Sequence, residues 1–255
     1  MKTAASVKRG FTLIELLVVM GIIGLLVMLL MPVVNFAVVV AQGVATANTI
    51  KRIETGLAGF YGDFSVYPPS DRLHETMISS TTFGYSNLAI ALGGPGGTGW
   101  GAADTDKKMP FGGTSDQKFG PYFEGGTTAS IDDAFKPAKP ILYFRYEQSG
   151  DPEATVPANA VYDFTDNQAT DLAKGEDGFT SQGNLMMLLR RRETYQYVRR
   201  DYVLISAGPD RVFGYRKGPD ANGAYTFVPA SMKPVAGDYT GAYCDDVTNF
   251  KYEQY

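Results

Sequence analysis

Glu15 is the one acid inside a greasy segment, and no basic side chain stands near enough to answer it: nothing basic lies between Phe11 and Val44. A charged group within a membrane span costs about 2.5 to 3.5 kcal/mol on insertion scales and calls for a counter-charge. Hydrolysis of the Gly10-Phe11 bond would make one, because the freed α-amino group lies four residues, about one helix turn, before Glu15. From Leu16 to Ala41 the only clearly polar side chain is Asn35. That run exceeds the ~20 apolar residues a bilayer requires.

Gly10-Phe11-Thr12-Leu13-Ile14-Glu15 resembles the cleavage and methylation signal of type IV pilins and type II secretion pseudopilins. The resemblance implies that a membrane-embedded prepilin peptidase removes residues 1–10 as a leader and methylates the new Phe11 amine. It also implies that Glu15 pairs with the Phe11 amine of a neighbouring subunit during filament assembly, and that Pro32 falls at a usual proline site of these helices. The competing class is a signal-anchored extracytoplasmic binding protein, since a basic start before an apolar run is also an ordinary export signal. Ala45-Thr46-Ala47 offers such a signal a cleavage site, but the apolar run is longer than an ordinary signal core of about 7 to 15 residues.

Orientation follows from charge. Lys2, Lys8 and Arg9 precede the span and no Lys or Arg follows it until Lys51, so the leader stays cytoplasmic and the rest faces outward. Together with this orientation, the resemblance implies a single-pass inner-membrane precursor with a periplasmic or extracellular domain, later part of a filament. Loss of the leader removes three positive side chains and takes the formal charge from −4 to −7.

The elements that must carry these groups read as follows. A helix over 11–64, with its span at about 11–41, would be roughly 80 Å long, and Pro32 should bend it. Its second half has Ile50, Ile53, Leu57, Phe60 and Phe64 at spacings of three and four, an apolar stripe that packs on a globular domain. Tyr67-Pro68-Pro69 stops it. The exported domain is 65–255. Strands are expected at Pro140–Glu147, with Ile141, Tyr143 and Arg145 on one face and Leu142, Phe144 and Tyr146 on the other, then at Tyr202–Ser206, Val212–Tyr215 and Tyr225–Val228. Turns fall at Gly208-Pro209-Asp210 and Asp220–Gly223. The fold class is α+β: a long helix on a small antiparallel C-terminal sheet, pilin-like by the resemblance, with insertions over 72–139 and 148–200.

A second resemblance lies near the C-terminus. Leu204-Ile205-Ser206-Ala207-Gly208-Pro209-Asp210 and Asp245-Asp246-Val247-Thr248-Asn249-Phe250 are similar to the calcium-loop segments of major secretion pseudopilins. It implies calcium as cofactor, held by Asp210, Asp245 and Asp246 with carbonyls near Leu204 and Ser206. Calcium takes about six to eight oxygen ligands, and two acidic loops could close on one ion.

Other chemistry finds less support. Gly94-Pro95-Gly96-Gly97-Thr98-Gly99 satisfies G-x-G-x-x-G, but Leu88–Leu92 before it reads as helix where a dinucleotide site needs a strand. His74 stands near Asp71 and Glu75 without a nucleophile motif, and one His with one Cys, Cys244, makes no Cys/His zinc site within one chain. Cys244 is expected as a small packed apolar residue. Arg190-Arg191-Arg192 and Arg199-Arg200 flank Tyr195 and Tyr197, a pattern that can grip single-stranded nucleic acid. The acidic balance and the adjacent Glu193 and Asp201 favour a solvated or subunit-contacting face, so nucleic acid is not the expected partner. The partners that the resemblance implies are other copies of the chain, other pilin-like subunits, the prepilin peptidase and the inner-membrane assembly machinery. The chain is expected to be a structural subunit, not an enzyme.

Overall fold

A computed structural model describes residues 12–70, 83–94, 97–101, 117–124, 130–151, 159–167, 179, 182–191, 194, 196–214, 216–219, 225–227 and 242–251. The chain divides into two compact units, 1–41 and 42–255. Helix α1, Leu13–Phe64, begins in the first and ends in the second.

In the first unit every described residue is exposed, and the segment is long and apolar enough to cross a membrane. Pro32 lies within α1, whose helical assignment runs through it.

The second unit is built on the stripe foreseen in the sequence. Ile50, Ile53, Leu57 and Phe60 are buried and Phe64 is partly so. Against them lie Leu88, Ala91 and Leu92 of α2, Gly84–Gly93, and one face of an antiparallel sheet. That sheet has the order β1-β2-β6, where β1 is Leu142–Arg145, β2 Tyr202–Ser206 and β6 Val247–Thr248. Its register sets Leu142 opposite Ile205 and Ser206 opposite Val247.

Alternation assigns the two faces of this sheet as expected, and both are dry. Ile141, Tyr143, Tyr202 and Leu204 join the α1 and α2 cluster. Leu142, Phe144, Val203 and Ile205 join a second cluster with Leu185–Leu189 of α3, Gln182–Leu189. The stretch 148–200, expected as an insertion between elements, therefore supplies a covering layer of the core through α3, Val161 and Tyr162. Cys244 is buried in the same cluster, as its type suggested.

One strand is misplaced by the sequence. Val212–Gly214 forms no strand because its amides are taken by side chains: Val212 N donates to Asp210 Oδ1 at 2.8 Å and Gly214 N to Asp246 Oδ2 at 2.8 Å. Pairing starts at β3, Arg216–Pro219, which joins β4, Tyr225–Phe227, and β5, Ala242–Tyr243, in a separate sheet ordered β4-β3-β5. The expected turn at Asp220–Gly223 and the end of the strand at Val228 lie outside the described residues.

Gly56 sits inside α1 for a packing reason. A Cβ there would come within 2.9 Å of the Tyr122 carbonyl, so the helix can approach that loop only without a side chain.

Candidate functional site

Gly10 and Phe11 lie outside the described residues. The described residues begin at Thr12, and there the structure shows a device that the sequence reading missed. Glu15 Oε2 accepts hydrogen bonds from Thr12 N at 2.9 Å and Thr12 Oγ1 at 2.8 Å, while Glu15 N donates back to Thr12 Oγ1 at 3.3 Å. This reciprocal capping box satisfies amides that a helix start leaves unpaired. Its signature, a Thr followed three residues later by a Glu ahead of an apolar run, is plain in Thr12-Leu13-Ile14-Glu15. The carboxylate is thereby folded back over the first turn, where the helix dipole favours negative charge.

Asp210 and the Asp245-Asp246 pair come from two loops that meet. Gly208 (φ +62°), which opens the turn before Asp210, packs against the Asp245 backbone so closely that a Cβ there would overlap the Asp245 carbonyl. Asp246 is buried, and burial, with Asp210 and Asp245 adding repulsion, pushes its carboxyl well above the usual carboxylate range. A buried acid among like charges is chemistry that a hard cation would relieve. Yet Asp210 Oδ1 and Asp246 Oδ2 each accept from a backbone amide, and among the described residues no three His, Cys, Asp or Glu groups are gathered to hold a metal.

The same turn holds an internal cation. Arg211 (φ +67°) has a left-handed backbone that costs a non-glycine residue of order 1 kcal/mol or more. Its Nη1 pairs with Asp133 Oδ2 at 2.7 Å and donates to the Gly208 carbonyl at 3.1 Å. Ser206 Oγ and Lys139 N complete the Asp133 carboxylate at 2.8 and 3.1 Å.

Arg190, Tyr197 and Arg199 of the arginine and tyrosine cluster are turned inward. The Arg190 guanidinium lies over the Tyr197 ring and donates to its hydroxyl at 2.9 Å. Arg199 pairs with Asp201 at 2.6 Å and with Glu54 of α1 at 3.2 Å, and also donates to the Asn249 carbonyl at 3.1 Å. Burial alone would raise the Asp201 carboxyl, but the Arg199 hydrogen bonds hold it below its ordinary range. Arg199 thus braces α1 against the sheet and Arg190 is engaged by Tyr197, while Arg191 and Arg200 are exposed. Arg192, Glu193, Tyr195 and His74 lie outside the described residues.

The glycine segment follows α2, not a strand, and leads to Trp100, which is buried and donates Nε1–H to the Ala91 carbonyl at 2.9 Å. Pro95 and Gly96 lie outside the described residues, and after a helix the dinucleotide motif lacks the preceding strand it requires.

No curated protein and no solved structure matched the chain. Residues 6–31 match the prokaryotic N-terminal methylation motif. That motif, running into a long apolar helix with an α+β domain behind it, gives the chain the signature of the type IV pilin and pseudopilin family on a pilin-like fold.

Proposed function

We propose that this pilin-like chain is a structural subunit of a type II secretion pseudopilus or a type IV pilus-like filament. The observation that carries it is the methylation motif at 6–31 entering an apolar helix whose described residues are all exposed up to Ala41. A helix that buries none of this surface within its own subunit calls for lipid first and neighbouring helices afterwards. In this account a prepilin peptidase cuts at Gly10/Phe11 and methylates Phe11, and the inner-membrane assembly machinery draws the subunit from the bilayer beside other pilin-like subunits. The outer domain is periplasmic or extracellular.

The capping box refines the role of Glu15. Its carboxylate is held at the start of α1 by Thr12, one turn from the amine that cleavage would free. Pairing with the Phe11 amine of a neighbour would neutralise both charges as the apolar halves pack away from water. Glu15→Ala is expected to leave cleavage and methylation intact, by mass, and to abolish sedimentable filaments. Filaments of normal yield from that variant would refute the pairing.

Calcium belongs to the proposal as the ion that Asp210, Asp245 and Asp246 would hold, supplying counter-charge to the buried Asp246 carboxyl. Its support is the meeting of two acidic loops and the raised Asp246 carboxyl. A calcium-dependent rise in melting temperature tests it.

A further inference from the structure

Asn35 is the only clearly polar side chain between Leu16 and Ala41, it is exposed, and the described chain provides its carboxamide with no hydrogen bond. One helix face holds a second unsatisfied group. Pro32 has no N–H, so the Met28 carbonyl loses its helical donor. Met28 and Asn35 are seven residues apart and share that face. Gly24 lies on it too, and a Cβ there would meet nothing within 4 Å, so packing within the subunit does not explain the glycine.

In hydrocarbon each of these polar groups must find a protein partner, because no water is there to serve. We infer that a second copy of this chain docks on the Met28–Asn35 face of α1 within the bilayer, the two Asn35 carboxamides hydrogen-bonding across the pair before any filament forms. The chemistry selects a copy over another partner. A carboxamide is donor and acceptor at once, hence self-complementary. Copies inserted with the same basic leader on the same side place Asn35 at the same depth. Gly24, on the same face, lets the backbones approach.

This inference rests on the reading of α1 as a spanning helix, and the experiment separates the two. Full-length chains labelled with donor or acceptor dyes are reconstituted without prepilin peptidase into phosphatidylcholine vesicles, and energy transfer is followed against protein-to-lipid ratio after flotation. Wild type should associate, Asn35→Leu should need about tenfold more protein per lipid for equal transfer, and Asn35→Gln should stay near wild type. Chains that float with the vesicles but show equal transfer in wild type and Asn35→Leu, or none in either, would remove the Asn35 pair and leave the spanning helix standing. Chains that do not float would overturn both.

Discussion

Replacing Asp133 by Ala should be the most damaging single polar change in the outer domain. Its side chain is 0% exposed, and its partner Arg211 only 13%. The carboxylate receives Arg211 Nη1, Ser206 Oγ and Lys139 N. Truncation strands a buried guanidinium and a buried hydroxyl, and removing one member of a buried pair typically costs about 3–5 kcal/mol. Relaxation of the left-handed backbone at Arg211 would return part of that loss, since the strain is already carried by the folded wild type. By contrast the Arg199–Glu54 pair, with side chains 26% and 31% exposed, should contribute about 1 kcal/mol or less. The assay is urea unfolding of the detergent-solubilised chain followed by fluorescence of its single tryptophan, Trp100, buried in this unit. A loss under about 1 kcal/mol for Asp133→Ala would show that Arg211 recovers water and that the turn does not depend on the pair. The double change Asp133→Leu with Arg211→Met should recover much of the loss, because well-packed apolar replacements of buried pairs are often neutral.

Three further outcomes follow from the same contacts. Leu57→Ala, at a fully buried position, should cost about 2–5 kcal/mol in the same unfolding assay. Gly56→Ala should destabilise although alanine is the better helix former by about 1 kcal/mol, because its methyl meets the Tyr122 carbonyl; a rise in melting temperature would contradict the close approach. Millimolar calcium should raise the melting temperature by mass action, chelation should reverse the rise, and Asp246→Ala should abolish it; no response in wild type would remove the proposed ion.

The elements legible in the sequence were those set by local period. Ile50, Ile53, Leu57 and Phe60 declared a helix face, and the alternation from Ile141 to Tyr146 told which side chains enter each core cluster. Long-range contacts escaped it. Arg199 meets Glu54 across 145 positions and Arg211 meets Asp133 across 78, distances over which no periodicity speaks. Val212–Tyr215 looked like a strand because its residue types suit one, but Asp246, 32 residues beyond Gly214, claims an amide that the ladder would have used. The capping box was the reverse case: Thr12 and Glu15 are three residues apart, and attention to the charge of Glu15 hid its local bond.

The filament-subunit account stands or falls on the N-terminus. Intact mass and N-terminal sequencing of the membrane-extracted protein, made with and without a cognate prepilin peptidase, test it most directly. The account predicts a chain that begins at methylated Phe11 only when the peptidase is present. A chain that begins near Asn48, or keeps Met1 with the peptidase active, would contradict it and leave a secreted or signal-anchored domain.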